Sequence, residues 1–144
     1  MTIDEKQEAI IREFEQLGDD WMQKYEYLIE MGKALPPMKE QHKTDQHLIK
    51  GCQSRSWLRT IEKEGKVYFE VESEAYIVKG IAALLVKILN GHTPEEIHGA
   101  QLYSIDRLGL RKHLSPMRSN GLFAIIREMK SCGHDGAAAQ EETA

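Results

Sequence analysis

A chain of 144 residues, 41% hydrophobic and 29% charged, has the size and balance of one globular domain that buries a core without disulfide or metal staples. Its net charge of −4, from 19 basic against 23 acidic residues, excludes the general attraction to phosphate backbones and anionic lipid on which basic proteins rely. No apolar run is long enough to span a bilayer, and Met1-Thr2-Ile3-Asp4-Glu5 lacks the basic and apolar stretches of a signal peptide. We therefore expect a cytoplasmic protein with no nucleic-acid partner and no membrane partner.

From Asp4 to Leu17, Ile10, Ile11, Phe14 and Leu17 recur at helical spacing among charges, which predicts an amphipathic helix. Gly18-Asp19-Asp20 breaks it and supplies a cap. Trp21, Met22, Tyr25, Leu28 and Ile29 then mark a second helix ending near Gly32. Leu35-Pro36-Pro37-Met38 cannot continue it, because proline lacks a donor and restricts the residue before it, so a loop follows, polar from Lys39 to His47. Leu48-Ile49-Lys50-Gly51-Cys52-Gln53-Ser54-Arg55-Ser56 steps from apolar residues into a glycine turn, on which Cys52 should sit.

Trp57–Ile61 and Val67–Val71 are rich in β-branched and aromatic residues, and the five residues from Glu62 to Lys66 between them read as a turn. This predicts a β-hairpin whose second strand alternates Val67, Phe69 and Val71 with Tyr68, Glu70 and Glu72, one face buried and the other wet. Ile77, Val78, Ile81, Leu84, Leu85, Ile88 and Leu89 form the most apolar helix, stopped by Asn90-Gly91 as left-handed capping residues. Thr93-Pro94-Glu95-Glu96 is a capping box that starts a short helix to about Gly99. Ser115-Pro116 repeats that signal ahead of Leu122, Ile126 and Met129, in a last helix ending near Cys132-Gly133. Residues 1–132 are read as a single domain and 133–144 as a disordered tail. The order of elements predicts an α+β fold, helices packed on a small, mostly antiparallel sheet.

Two cysteines, Cys52 and Cys132, are read as free thiols, since the cytosol keeps thiols reduced. Cys52 stands beside backbone donors, the hydroxyls of Ser54 and Ser56 and the cation of Arg55, surroundings that favour thiolate. Cys132, with His134 and Asp135, lacks the second closely spaced pair that structural zinc sites show, so no metal site is assigned and Cys132 is expected to be a solvated tail thiol. His42, His47, His92, His98 and His113 are all formally available as a base for a thiol hydrolase, yet no orienting motif accompanies any of them. Gly80, Gly91 and Gly99 are isolated, which leaves nucleotide binding without a phosphate loop. Arg118, in the first turn of the last helix, opposes the helix dipole and so hints at another task.

Several separated blocks carry a family resemblance. Trp21 to Leu35 with its proline exit, Gly51-Cys52-Gln53-Ser54-x-x-Trp57, Ala75-Tyr76-Ile77-Val78-Lys79-Gly80, and Leu108-Gly109-Leu110 through His113-Leu114-Ser115-Pro116-x-Arg118-x-Asn120-Gly121-Leu122 stand in the order and spacing of the SufE family, the sulfur-acceptor proteins of iron-sulfur cluster assembly. The chain resembles that family, in its SufE and CsdE branches, from about Asp19 to Lys130, and the fold implied is that of SufE and NifU-like proteins. The resemblance implies that Cys52 receives persulfide sulfur from a pyridoxal-phosphate cysteine desulfurase of the SufS or CsdA type. It further implies that the chain stimulates that enzyme and passes sulfur to an iron-sulfur scaffold complex, with no cofactor and no catalysis of its own. Arg118 would stabilise the Cys52 thiolate or persulfide, while Gly51, Gln53 and Ser54 would shape the loop. Ser56 departs from the aliphatic residue expected before Trp57, and a homodimer is compatible with the sequence. Two other readings are an iron-sulfur scaffold, which needs about three cysteine-type ligands where the chain has one internal cysteine, and a stand-alone thiol hydrolase.

Overall fold

Thr2 opens the first helix, α1 (Ile3–Glu15), through a reciprocal capping box: Glu5 N–H donates to Thr2 Oγ1 at 3.0 Å and Thr2 N–H to Glu5 Oε1 at 2.9 Å. The computed structural model describes residues 1–51, 54–132 and 139–140. α1 stops short of the expected Leu17 because the chain turns at Gly18, whose φ is +71°. Asp20 then caps α2 (Trp21–Lys33), accepting from Met22 N–H at 3.0 Å. Leu28 is fully buried, whereas Met22, expected on the apolar stripe, is 67% exposed, and Trp21 and Tyr25 are the residues of that end of α2 that pack against the core.

The hairpin is longer and its turn tighter than expected. β1 (Ser56–Lys63) and β2 (Lys66–Ser73) pair antiparallel from Ser56 opposite Ser73 to Lys63 opposite Lys66. Only Glu64 and Gly65 form the turn, with φ of +54° and +77°, the paired left-handed geometry whose twist matches the strands. Val67, Phe69 and Val71 are buried and the alternate residues face outward, as the alternation predicts. α3 (Tyr76–Leu89) covers that face, with Ile81, Leu84, Leu85, Ile88 and Leu89 fully buried. Asn90 is extended (φ −60°, ψ 140°) rather than left-handed as expected, because its side-chain oxygen accepts from Phe69 N–H at 2.8 Å; Gly91 alone takes the positive φ, +83°.

α2 crosses α3 with backbone against backbone. A methyl added at Gly80 would stand 2.2 Å from the Leu28 carbonyl oxygen, and one at Gly32 would stand 2.8 Å from Gly80 N. Space, not φ, demands glycine at both positions.

Four helices follow: α4 (Pro94–His98), α5 (Tyr103–Arg107), α6 (Leu110–His113) and α7 (Pro116–Lys130). Thr93 and Glu96 form the expected capping box, and Ser115 Oγ accepts from Arg118 N–H at 3.3 Å. α7 buries Leu122, Ile125 and Met129; Ile126, expected on that stripe, is half-buried, because the buried face follows 122, 125 and 129. One apolar cluster runs from Ile3 to Cys132. On the other edge of β1, β3 (Ala139–Gln140) pairs parallel at Ile61 and Glu62, giving the order β2-β1-β3; the remainder of the segment 133–144 read as a tail lies outside the described residues. The architecture is the expected α+β arrangement of helices on a small, mostly antiparallel sheet. Among the described residues no helix is long and apolar enough to cross a membrane.

Candidate functional site

The segment between Ile49 and Ser56 leaves the sheet and returns through a closed neck. Ile49 N–H donates to the Ser56 carbonyl and Leu58 N–H to the His47 carbonyl, each at 2.8 Å, and Leu48 bridges Trp57 antiparallel. Beside it, Glu74 N–H donates to the Arg55 carbonyl at 3.0 Å. Cys52 and Gln53, both read as site residues, fall on this excursion but lie outside the described residues. Gly51 and Ser54, the other loop residues singled out, bound that gap. Gly51 is exposed with φ +90°, a conformation that L side chains rarely adopt. Ser54 is half-buried, and its carbonyl accepts from Ser56 Oγ at 3.2 Å.

Ser56, the residue that departs from the family's aliphatic pattern, has its reason in the register. It faces Ser73 across the hairpin, and its hydroxyl is 2.8 Å from that of Ser73 in a buried pair. Ser73 Oγ also accepts from Ala75 N–H at 3.2 Å, just ahead of α3. Where the loop rejoins β1, two hydroxyls thus tie together the loop exit, the end of β2 and the start of the central helix.

A cleft of about 370 Å3 opens beside this exit, lined by Glu40, Lys43, Arg55, Trp57, Glu72 and Glu74 with Ser73. The Arg55 guanidinium stands 5.2 Å and the Lys43 ammonium 5.8 Å from the Trp57 ring centre. Burial pushes the Glu72 carboxyl up, but the Lys79 ammonium at 3.0 Å and the Ser73 and Met38 N–H groups outweigh it and hold that carboxyl below its ordinary range.

On the other side, Gly51 at the loop entry lies against α7. A methyl built at Gly51 would stand 3.5 Å from Arg127 Nη2 and 3.6 Å from Ala124 Cβ, so Arg127 is the α7 cation at the entry to the loop. Arg118 is exposed in the first turn of α7. At about 1.5 Å and 100° per residue it lies about 13 Å along the axis from Arg127 and on nearly the opposite side of the helix. Arg127 escaped the sequence reading, because nothing in the spacing of a helix reveals which distant loop packs on it.

Cys132 corrects an expectation. It is 4% exposed and belongs to the apolar cluster; its thiol is pushed up to about 11, by burial first and then by the carboxylates of Glu62 and Glu95. His98 donates from Nε2 to its carbonyl, so α4 closes over it. Three further histidines have local tasks: His47 Nδ1–H donates to the His42 carbonyl at 2.7 Å, His92 lies 3.5 Å from Glu96, and His113 stacks on Trp21 with ring centres 4.0 Å apart. Among the described residues no three His, Cys, Asp or Glu side chains are grouped to hold a metal ion.

Comparison with known proteins decides the family. The family model described as the SufE Fe-S metabolism associated domain matches residues 8–132. The chain belongs to the SufE family. An uncharacterized SufE-like protein of Rhizobium meliloti (strain 1021) is 39% identical over 118 residues, covering 78% of this chain and 84% of the relative. Another from Rhizobium etli is 36% identical over 126 residues, covering 84% and 85%. The solution structure of a hypothetical protein from Thermus thermophilus superposes with a TM-score of 0.71 over 88% of this chain and 91% of that one, at 23% identity, a likeness of fold. Membership in the SufE family places the chain in iron-sulfur metabolism.

Proposed function

We propose that this SufE-family chain is a sulfur acceptor and carrier, loaded on Cys52 by a pyridoxal-phosphate cysteine desulfurase, stimulating that enzyme and delivering sulfur to iron-sulfur cluster assembly. The observation that carries the reading is the family match across residues 8–132 together with a pinched excursion from the sheet at the position of Cys52. The burial of Cys132 adds to it, because a thiol pushed up to about 11 is a poor nucleophile near neutral pH and leaves Cys52 as the chain's reactive sulfur.

The transfer is a thiol–disulfide type exchange. The Cys52 thiolate attacks the terminal sulfur of the donor's cysteine persulfide, a new sulfur–sulfur bond forms at Cys52, the donor's sulfur–sulfur bond breaks, and the donor cysteine leaves as thiolate. No net oxidation occurs. A cation beside the loop favours the anionic forms before and after the transfer. Arg118 carries that role by family resemblance, and Arg127 stands at the loop entry.

The test is mass spectrometry after mixing the chain with a cysteine desulfurase and free cysteine, digesting without reductant at lysine and arginine. The peptide Gly51–Arg55 should gain one sulfur while the peptide holding Cys132 should not. Sulfur on Cys132 alone, or on neither peptide with any desulfurase tried, refutes the reading.

A further inference from the structure

The strip of α6 and α7 that borders the loop differs in charge from the rest of the molecule. Beside the loop it presents Arg111 and Arg127, in a chain whose net charge is −4; of the other cations in this stretch, Arg118 lies on the far side of α7 and Lys130 is held by the Ala100 carbonyl at 2.9 Å. Phe123 is 39% exposed there, and the Arg111 guanidinium lies 4.8 Å from its ring centre, so a large apolar side chain is held at the surface by a cation. Arg127 follows Phe123 by four residues on the same helical face and is the side chain that approaches Gly51. Arg111, Phe123 and Arg127 thus form a line from α6 to the mouth of the loop. Arg111 has an exposed acid, Asp106, at 3.0 Å; the Arg127 side chain has no hydrogen bond or ion pair among the described residues.

We propose that this strip is the docking surface for the sulfur donor: a cysteine desulfurase presenting an acidic face with an apolar recess that takes Phe123. The inference rests on the sulfur-acceptor reading and adds the surface through which that reading operates. A carrier must deliver a short loop to one sulfur atom, and a cationic strip at the loop's edge orients the encounter before contact. An exposed aromatic flanked by arginines is the composition of interface anchors. A second copy of this chain is the poorer occupant, because a two-fold interface on this face would set cations against cations.

The experiment uses the full chain and the purified, pyridoxal-phosphate-loaded desulfurase that transfers sulfur to Cys52, reading the KM of that enzyme for this protein. Phe123→Ala and Arg127→Glu should each raise KM about tenfold or more, and more than they lower kcat. Raising salt from about 50 to about 500 mM should weaken the wild type more than Arg127→Glu. Both side chains are exposed, and circular dichroism checks that the variants fold. Unchanged KM in folded variants that still load Cys52 overturns the docking surface and leaves the sulfur-acceptor reading intact. Failure of every desulfurase to load Cys52 overturns both. A wild-type dimer that Phe123→Ala dissociates assigns the strip to a second copy and overturns the proposal.

Discussion

The two ends of β1 present opposite chemistry. At Ser56 the strand meets a loop whose surroundings are hydroxyls, exposed cations and an open cleft; six residues on, about 20 Å away along an extended strand, Glu62 lies near a cysteine sealed under α4. One end of the strand thus lies near a sealed thiol, and the other leads into the segment in which Cys52 falls in the sequence. The lesson is that a cysteine's chemistry is set by what packs around it: Cys132 is inert because apolar side chains and two carboxylates both disfavour its anion.

The largest effect we expect is in alkylation of the folded protein. At pH 8 a thiol with a pKa of about 11 is thiolate about a hundredfold less often than an ordinary cysteine, so iodoacetamide should modify Cys52 first and Cys132 more than about a hundredfold more slowly, until denaturant is added. Equal rates at the two positions would dissolve the contrast. A smaller effect is expected at the loop end. Ser56→Ala should cost about 1–2 kcal/mol in urea unfolding, because it deprives the buried Ser73 hydroxyl of a partner. Ser56→Ala with Ser73→Ala should cost less than the sum of the single changes; strict additivity would mean that the hydroxyl pair does not hold the neck.

Much of the frame that supports these two ends was readable in advance. Thr93-Pro94 and Ser115-Pro116 announce their helices, and the alternation of Val67, Phe69 and Val71 gives the buried face of β2, because capping and pleating are local. α5 and α6 were invisible, five and four residues being too short to display a helical period. Thr2 was overlooked as a cap, although its Glu5 three residues on is the usual signal. The site was legible only in its segment. Gly51 and Ser54 could be named from the turn, but the Ser56–Ser73 pair depends on strand register, and Arg127 beside Gly51 on a contact across 76 residues of sequence. Cys132 looked solvated because it follows a helix end, and only the closure of α4 over that end buries it.

The sealed end should also betray itself through pH. The folded chain keeps the Cys132 thiol protonated up to about 11, whereas the unfolded chain releases that proton near 9.0, so stability should fall as pH rises through that window. On the acid side burial, with the Lys6 ammonium, depresses His92 against the pull of Glu96, so the unfolded state takes up the proton first and stability should fall below about pH 6.5. Melting temperature followed against pH checks both limbs, and Cys132→Ala should flatten the alkaline one. The smallest effect belongs to the hairpin turn just beyond this end. Glu64→Asn should stabilise by about 0.5 kcal/mol, since Glu64 occupies a left-handed φ of +54° that asparagine tolerates better. A loss of stability there would show that the Glu64 side chain does more than fill a turn.

The crossing of Gly32 and Gly80 has a consequence for the order in which the molecule opens. With the Leu28 carbonyl set directly against Gly80, no side chain separates α2 from α3, and the two helices part only if whole backbones move. Amide protons of α3 around Gly80 should therefore exchange with solvent only through global unfolding, while the Ile49 and Glu74 amides at the neck exchange through smaller openings. The crossing serves as a fixed bearing: the neck can loosen many times over without the helices behind it losing their alignment.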